Sequence, residues 1–321
     1  MFELMKGIQS IVETCMEVKP GERVLIITDN EGGPMWTAQL AMNVVSSMGA
    51  EVVLTVINPW EVTGHEPPAA LAAAMKSVNT ILNISNKGGL AHTTARNEAT
   101  AAGVRYYSIF QIPVDDLKQG VSAKDIQLIK ERTENMAQRL TQANAARVTS
   151  PLGTDLTMDL AGRESLAVHP MSRVFAILPD YAEAAIAPIE GSAEGVVVAD
   201  LEVVGWGYML REPLRYTVKA GKVVDISGSA QDAERVRKIV ATDENANNLA
   251  ELGIGTSHTI PWAMRGTRRD AARIGTVHIG IGRNDNIGGK ARSQVHHDGL
   301  ISQVTVELDG QYVLRDGVLL I

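Results

Sequence analysis

RVLIITDNEGGPMWTAQLAMNVVSSMGAEVVLTVI, residues 23–57, decides the fold class. Arg23 to Thr28 is a short apolar run after the turn Pro20-Gly21, as expected of a strand buried on both faces. A helical pattern follows from about Pro34 to Met48 and stops at Gly49. Glu51 to Ile57 then reads as a second strand. The pattern repeats downstream. A helix over Pro67 to Lys76 leads to a strand at Thr80 to Ile84, and Gly103 introduces another at Val104 to Phe110. Strands separated by helices predict βαβ units and a mostly parallel sheet. Ser122 is the expected N-cap of a long helix from about Ala123 to Ala145, which would connect two domains.

Beyond Arg147 the punctuation changes. Thr149 to Leu160 predicts a hairpin, and Gly195 to Val204 a strand. Pro213 to Ile226 reads as two strands joined at Ala220-Gly221, followed by a short amphipathic helix over Gln231 to Ala241. Thr276 to Ile281, Gln294 to Asp298, Ser302 to Leu308 and Tyr312 to Leu319 also read as strands. The expectation is an α/β chain: an N-terminal α/β domain at 1–146, and a β-rich α+β domain at 147–321 that carries the chemistry.

Composition narrows the function. A net charge of -7 argues against a general nucleic-acid binder, which needs a basic stripe to displace phosphate counterions. The single Cys15 excludes an intrachain disulfide and a cysteine-based zinc site, and reads as a buried thiol. Glu3 and Glu13 interrupt the first apolar residues, so these read as an amphipathic helix and not as a signal peptide. No run approaches the roughly 18 apolar residues of a membrane helix. A cytoplasmic protein with no membrane or nucleic-acid partner is expected.

Four of the seven histidines fall between residues 258 and 297. In QVHHDG (294–299), the strand period of two puts His296 and Asp298 on one face and His297 on the other. An imidazole and a carboxylate converging from one face suit a divalent metal, although H-x-D alone also describes a surface ion pair. His278 sits in the apolar GTVHIGIG (275–282), where a hydrogen-bonded core histidine is the ordinary alternative. Glu251 lies among apolar residues in LAELGIGT (249–256). A buried carboxylate there needs a compensating charge, from a metal, a salt bridge or a helix end. By chemistry alone Glu183, Glu190 and Glu194 read as solvent-facing acids. No G-x-G-x-x-G, G-x-S-x-G or P-loop spacing is present.

Together, GTDLTMDLAGR (153–163), EAAIAP (183–188), EGSAEG (190–195), NLAELGIGT (248–256), GTVHIGIG (275–282) and VHHDGLI (295–301) resemble, in order, the two-domain metallopeptidases of the aminopeptidase T and S family. The resemblance implies a homodimer with a dinuclear centre of Zn, Co or Mn. It implies Glu183, Glu251, His278, His296 and Asp298 as ligands, and short peptides or small amides as substrates. Whether Glu183 or Glu251 bridges the metals or acts as general base is left open by spacing. Two departures stand out. Asp285 occupies the place of the family's tyrosine, and GRNDNIGGKARSQ (282–294) replaces a longer segment. Asp285, Lys290, His297 and His258 are candidates to meet substrate, and Trp206 and Trp262 to wall the pocket.

The chain is also similar to the 2,5-dihydroxypyridine 5,6-dioxygenases, through E-x-S-A-E-G at 190–195, G-G-K at 288–290 and the H-x-D pair. That resemblance implies mononuclear Fe(II) chemistry, with Glu251 standing where those enzymes have an iron-binding histidine. A non-catalytic binding protein on the same scaffold is the third expectation.

Overall fold

The computed structural model describes residues 1–31, 33–59, 65–87, 89–91 and 93–321. The chain divides into two compact units. One comprises Met1–Lys130 with Val168–Tyr181, the other Glu131–Ala167 with Ala182–Ile321.

In the first unit, α1 (Phe2–Ile11) buries Leu4, Ile8 and Ile11, which its 3.6-residue period puts on one side. It is followed by β1 (Arg23–Asp29), α2 (Gly33–Ser47), β2 (Glu51–Ile57), α3 (Ala69–Lys76), β3 (Thr80–Ser85), α4 (Thr94–Ala101), β4 (Arg105–Phe110) and α5 (Val114–Lys118). The four strands are parallel in the order β2-β1-β3-β4, and β8 (Ala176–Ile177) adds to β4 from downstream. Parallel neighbours need crossovers, and α2, α3 and α4 supply them. Cys15 is buried, and burial pushes its thiol far up, with Asp180 adding to the effect.

The long helix α6 (Ala123–Gln142) starts as expected, with the Ser122 hydroxyl accepting from the Asp125 backbone. It stops short of the expected Ala145. The Asp309 carboxylate takes the backbone N–H groups of Asn144 (3.0 Å) and Ala145 (2.9 Å), and Ala145–Thr149 becomes β5. Cross-strand pairing there overrides the helical preference of alanine. The second unit continues with β6 (Asp155–Asp159), β7 (Leu166–Val168), β9 (Glu183–Ile186), β10 (Glu194–Ala199), β11 (Leu214–Lys219), β12 (Lys222–Ser227), α7 (Ala230–Val240), β13 (Leu249–Gly255), β14 (Val277–Gly282), β15 (His296–Ile301), β16 (Thr305–Leu308), β17 (Gln311–Arg315) and β18 (Val318–Leu319).

These form an antiparallel sheet ordered β12-β11-β10-β6-β5-β16-β17-β18 and a second sheet ordered β15-β14-β13-β9-β7. The fold is therefore α/β, with a parallel sheet and antiparallel β-rich sheets. The strand expected over Tyr312 to Leu319 is a hairpin, because Asp316 and Gly317 both take positive φ (50° and 77°), the conformation a tight two-residue turn requires. One core joins the two antiparallel sheets, with Leu156, Val197 and Tyr216 from the first and Leu252, Ile254, Ile279 and Ile281 from the second. Among the described residues, no helix is long and apolar enough to cross a membrane.

Candidate metal centre

The second face of the β9–β13–β14–β15 sheet carries the polar side chains. Register pairs Glu183 with Gly255, Glu251 with Gly280, and His278 with Gly253. It also pairs Asp298 with Gly280 and His296 with Gly282. Directly paired residues share a face, so all five candidate ligands stand on one side, interleaved with glycines. The glycines make the room. A Cβ on Gly253 would lie 2.0 Å from His278 Nε2, and one on Gly280 would lie 2.8 Å from Glu251 Cβ and 2.9 Å from Asp298 Oδ1. The opposite face presents Leu252, Ile254, Val277, Ile279 and Ile281 to the core.

The side chains converge closely. His278 Nε2 lies 3.4 Å from Glu183 Oε2 and 3.6 Å from Glu251 Oε1. His296 Nε2 lies 2.9 Å from Glu251 Oε2 and 3.1 Å from Asp298 Oδ1. The two oxygens of Glu251 thus face different histidines. Glu183, Glu251 and His278 form one group that could hold a metal ion, and Glu251, His296 and Asp298 form another. Asp298 Oδ1 is fully buried and makes no hydrogen bond, despite the nearby imidazole. Two atoms converging without mutual alignment suit a third atom between them, so the donor set fits a divalent ion. His296 Nδ1 meets the Arg283 carbonyl at 2.8 Å. A carbonyl only accepts, so Nδ1 carries the proton and Nε2 is turned to the centre, as in many metal-bound histidines.

Charge follows the same geometry. Burial alone would raise the Glu251 carboxyl, but hydrogen bonds from His278 and His296 bring it down to about 2. Burial likewise opposes protonation of His278, yet Glu251, Glu183 and Asp298 lift it to about 9. The carboxylates Asp298 and Glu251 push His296 well up against its burial, and the His296 charge holds Asp298 well below the usual carboxylate range. Without a metal, then, protons on the histidines balance this cluster of buried acids. A bound cation would replace those protons.

The family described as NicX, 2,5-dihydroxypyridine 5,6-dioxygenase, matches residues 3–321. The chain belongs to this family. Both relatives anticipated from the motifs appear among solved structures. The 2,5-dihydroxypyridine dioxygenase from Pseudomonas putida KT2440 is 18% identical with a TM-score of 0.84, over 99% of this chain and 96% of that one. Wild-type AmpT from Thermus thermophilus is also 18% identical, with a TM-score of 0.70, over 100% of this chain and 99% of that one. At this identity the two share the fold. No curated protein sequence matches the chain.

Within this NicX-family scaffold the remaining candidates disperse. Asp285 is engaged by Arg283 (Nε to Oδ1, 2.5 Å) and by Arg292 (3.5 Å). Lys290 is exposed, and its backbone N–H donates to Glu190, which also takes Asn284 and Arg163. The structure does not bring His297 to the ligand face. It packs at a tilt against Trp206 (5.5 Å between ring centres), and the Arg235 guanidinium lies over the same indole. Burial drops the His297 imidazole to about 4. His258 Nδ1 contacts Arg132, and Trp262 is an exposed loop residue. Two features escaped the sequence reading. The alternating glycines are legible in hindsight as G-I-G repeats opposite ligand strands. Glu202 gave no signal; it is fully buried, and neither carboxyl oxygen has a hydrogen-bond partner.

Proposed function

We propose that the chain is a metal-dependent hydrolase of amide or peptide bonds, aminopeptidase-like, at a dinuclear site whose ions would be held by Glu183, Glu251, His278, His296 and Asp298. The observation that supports this reading most is the division of Glu251's two oxygens between His278 and His296. Glu183 with His278 would complete one ion's ligands, and His296 with Asp298 the other's. Bound Zn, Co or Mn supplies Lewis acidity and lowers the pKa of coordinated water towards about 7.

The protein's own side chains do the rest. The Arg283 carbonyl holds the His296 ring in orientation, and Glu251 and His278 are buried while His296 and Asp298 stay partly open to solvent. Glu251 stands between both histidines, and Glu183, at the edge of the His278 group, is assigned as the general base that would take the proton of the attacking water. The reading also includes a cytoplasmic homodimer acting on small molecules or short peptides.

Ring cleavage at a single Fe(II) is the second reading, favoured by the family description and the TM-score of 0.84. It has a chemical difficulty. The Glu251–His296–Asp298 group offers one imidazole and two carboxylates, against the two imidazoles and one carboxylate of a facial triad. Metal analysis of the purified protein separates the readings, combined with a screen of aminoacyl anilides and 2,5-dihydroxypyridine. Close to two Zn, Co or Mn per chain with anilide cleavage is expected. One oxygen-sensitive iron with consumption of the pyridine would overturn hydrolysis.

A further inference from the structure

The strand that carries Glu251 leaves the sheet past two arginines that, among the described residues, form no ion pair with an acid. Beyond Gly255 the chain runs through Thr256, Ser257 and His258. On one side Arg132 Nη1 donates to the Thr256 carbonyl (3.1 Å) and contacts His258 Nδ1 (3.2 Å). On the other, Arg273 bridges to Ser257 and donates from Nη1 to the Ile274 carbonyl (3.0 Å). Arg273 is 3% exposed, and its Nε is buried without a hydrogen-bond partner. Neither guanidinium forms an ion pair with a carboxylate among the described residues, and burial pulls both below the usual arginine range, Arg273 to about 10.

Buried guanidinium groups are ordinarily paired, because an uncompensated charge away from water is costly. Here Arg273 is covered by the face of Trp262, an indole that is itself 71% exposed. The cover is one side chain thick and free on its outer side. The loop is also placed against the ligand face. The Arg273 carbonyl stands 2.2 Å from where a Cβ on Gly255 would be, and Gly255 is paired with Glu183. With Nη1 used by Ile274, the edge of Arg273 that holds Nε and Nη2 remains for a ligand. That edge presents two parallel N–H groups, the geometry that matches a carboxylate.

We propose that Arg273, with the second unpaired arginine Arg132 against the same segment and Trp262 as its cover, binds a carboxylate carried by the substrate beside the segment that follows the Glu251 strand. The assignment of that carboxylate to a substrate rests on the hydrolase reading, whereas the anion site does not. The preferred substrates would then be amides bearing a free carboxylate, such as N-acyl amino acids or short peptides with an open C-terminus.

Calorimetric titration of the full-length, metal-loaded protein with N-acetylglycine, N-acetylglycinamide and inorganic phosphate tests this. N-acetylglycine is expected to bind at least about tenfold more tightly than the amide, the usual scale of a charge-assisted pair. Arg273→Gln should erase that preference and Arg273→Lys should keep part of it, with metal content unchanged. Arg132→Gln, at a half-buried position, should reduce it severalfold and serves if Arg273→Gln does not fold. Equal affinity for acid and amide, or a preference that survives both glutamine variants, overturns the site. Phosphate binding as tightly as N-acetylglycine overturns its carboxylate character. If the preference behaves as expected but no amide is cleaved, the hydrolase reading falls and the anion site stands.

Discussion

Each oxygen of Glu251 faces a different histidine, whereas His278 contacts only the Glu183 half of the cluster. Loss of the two side chains should therefore differ in kind. Glu251→Gln is expected to release both metals, and His278→Ala to retain close to one per chain, both read by elemental analysis after desalting. Equal losses would mean that Glu251 does not serve both groups. Glu202 sets a different expectation. Burial, reinforced by Asp270 and opposed by Arg268, lifts its carboxyl to about 8. A carboxyl raised in the folded state contributes fully below its unfolded value and loses stability as pH rises through 8. Glu202→Gln removes that titration. It should match the parent near pH 4.5 and exceed it at pH 9 by about 1–3 kcal/mol, the cost of an unpaired buried group. Thermal melts at the two pH values check this, and a constant difference between the proteins would sink it. Among the candidate ligands, Glu251 and His278 stood out as polar residues in apolar strands, whereas Glu183 entered only through the family resemblance. Glu202 was not legible, since only tertiary packing distinguishes it from a surface acid.

At the level of single strands, the β13–β14–β15 sheet has two faces with different tasks, and glycine serves both. On the ligand face, an alanine at Gly253 would put its Cβ 2.0 Å from His278 Nε2. Gly253→Ala should thus displace the imidazole and lower the metal content from about two to about one, with little loss of folded protein. On the core face, an alanine at Gly299 would meet Ala199 Cβ at 2.9 Å and the Tyr216 ring at 3.3 Å. Gly299→Ala should cost stability, on the order of 1–3 kcal/mol for overpacking, and leave the metal stoichiometry intact. Denaturant melts and metal analysis on both variants would expose the contrast, and similar effects from the two would undo the division of faces. This alternation was only half visible beforehand. His296 and Asp298 shared a face by period alone. The Glu183 strand, four residues long and rich in alanine, carried too little pattern to read as a strand without its neighbours.

On the scale of the whole chain, the sequence made the βαβ alternation plain, because strands buried on both faces are continuous apolar runs bounded by glycine and helix. It could not show that the parallel sheet is completed from far downstream. Ala176–Ile177 is two residues long, below any periodicity, yet it pairs with Tyr107 and Ser108 in β4. Around it, the Leu178 N–H donates to the Ser108 carbonyl (2.8 Å), the Tyr106 N–H to that of Arg173 (3.3 Å), and Phe175 stacks on Tyr106. The first compact unit therefore includes Val168–Tyr181, separated from the rest of it by residues of the second. A fragment cut at residue 146 would keep every helix of the βαβ series but lose the strand that closes β4. Its Tyr106 and Tyr107, now about 1% exposed or less, would face water along an unpaired edge. Such a fragment is expected to aggregate or to unfold over a broad range, judged by circular-dichroism melts and light scattering beside the full chain. A soluble monomer with a sharp, cooperative transition would mean that β8 contributes nothing essential to this sheet.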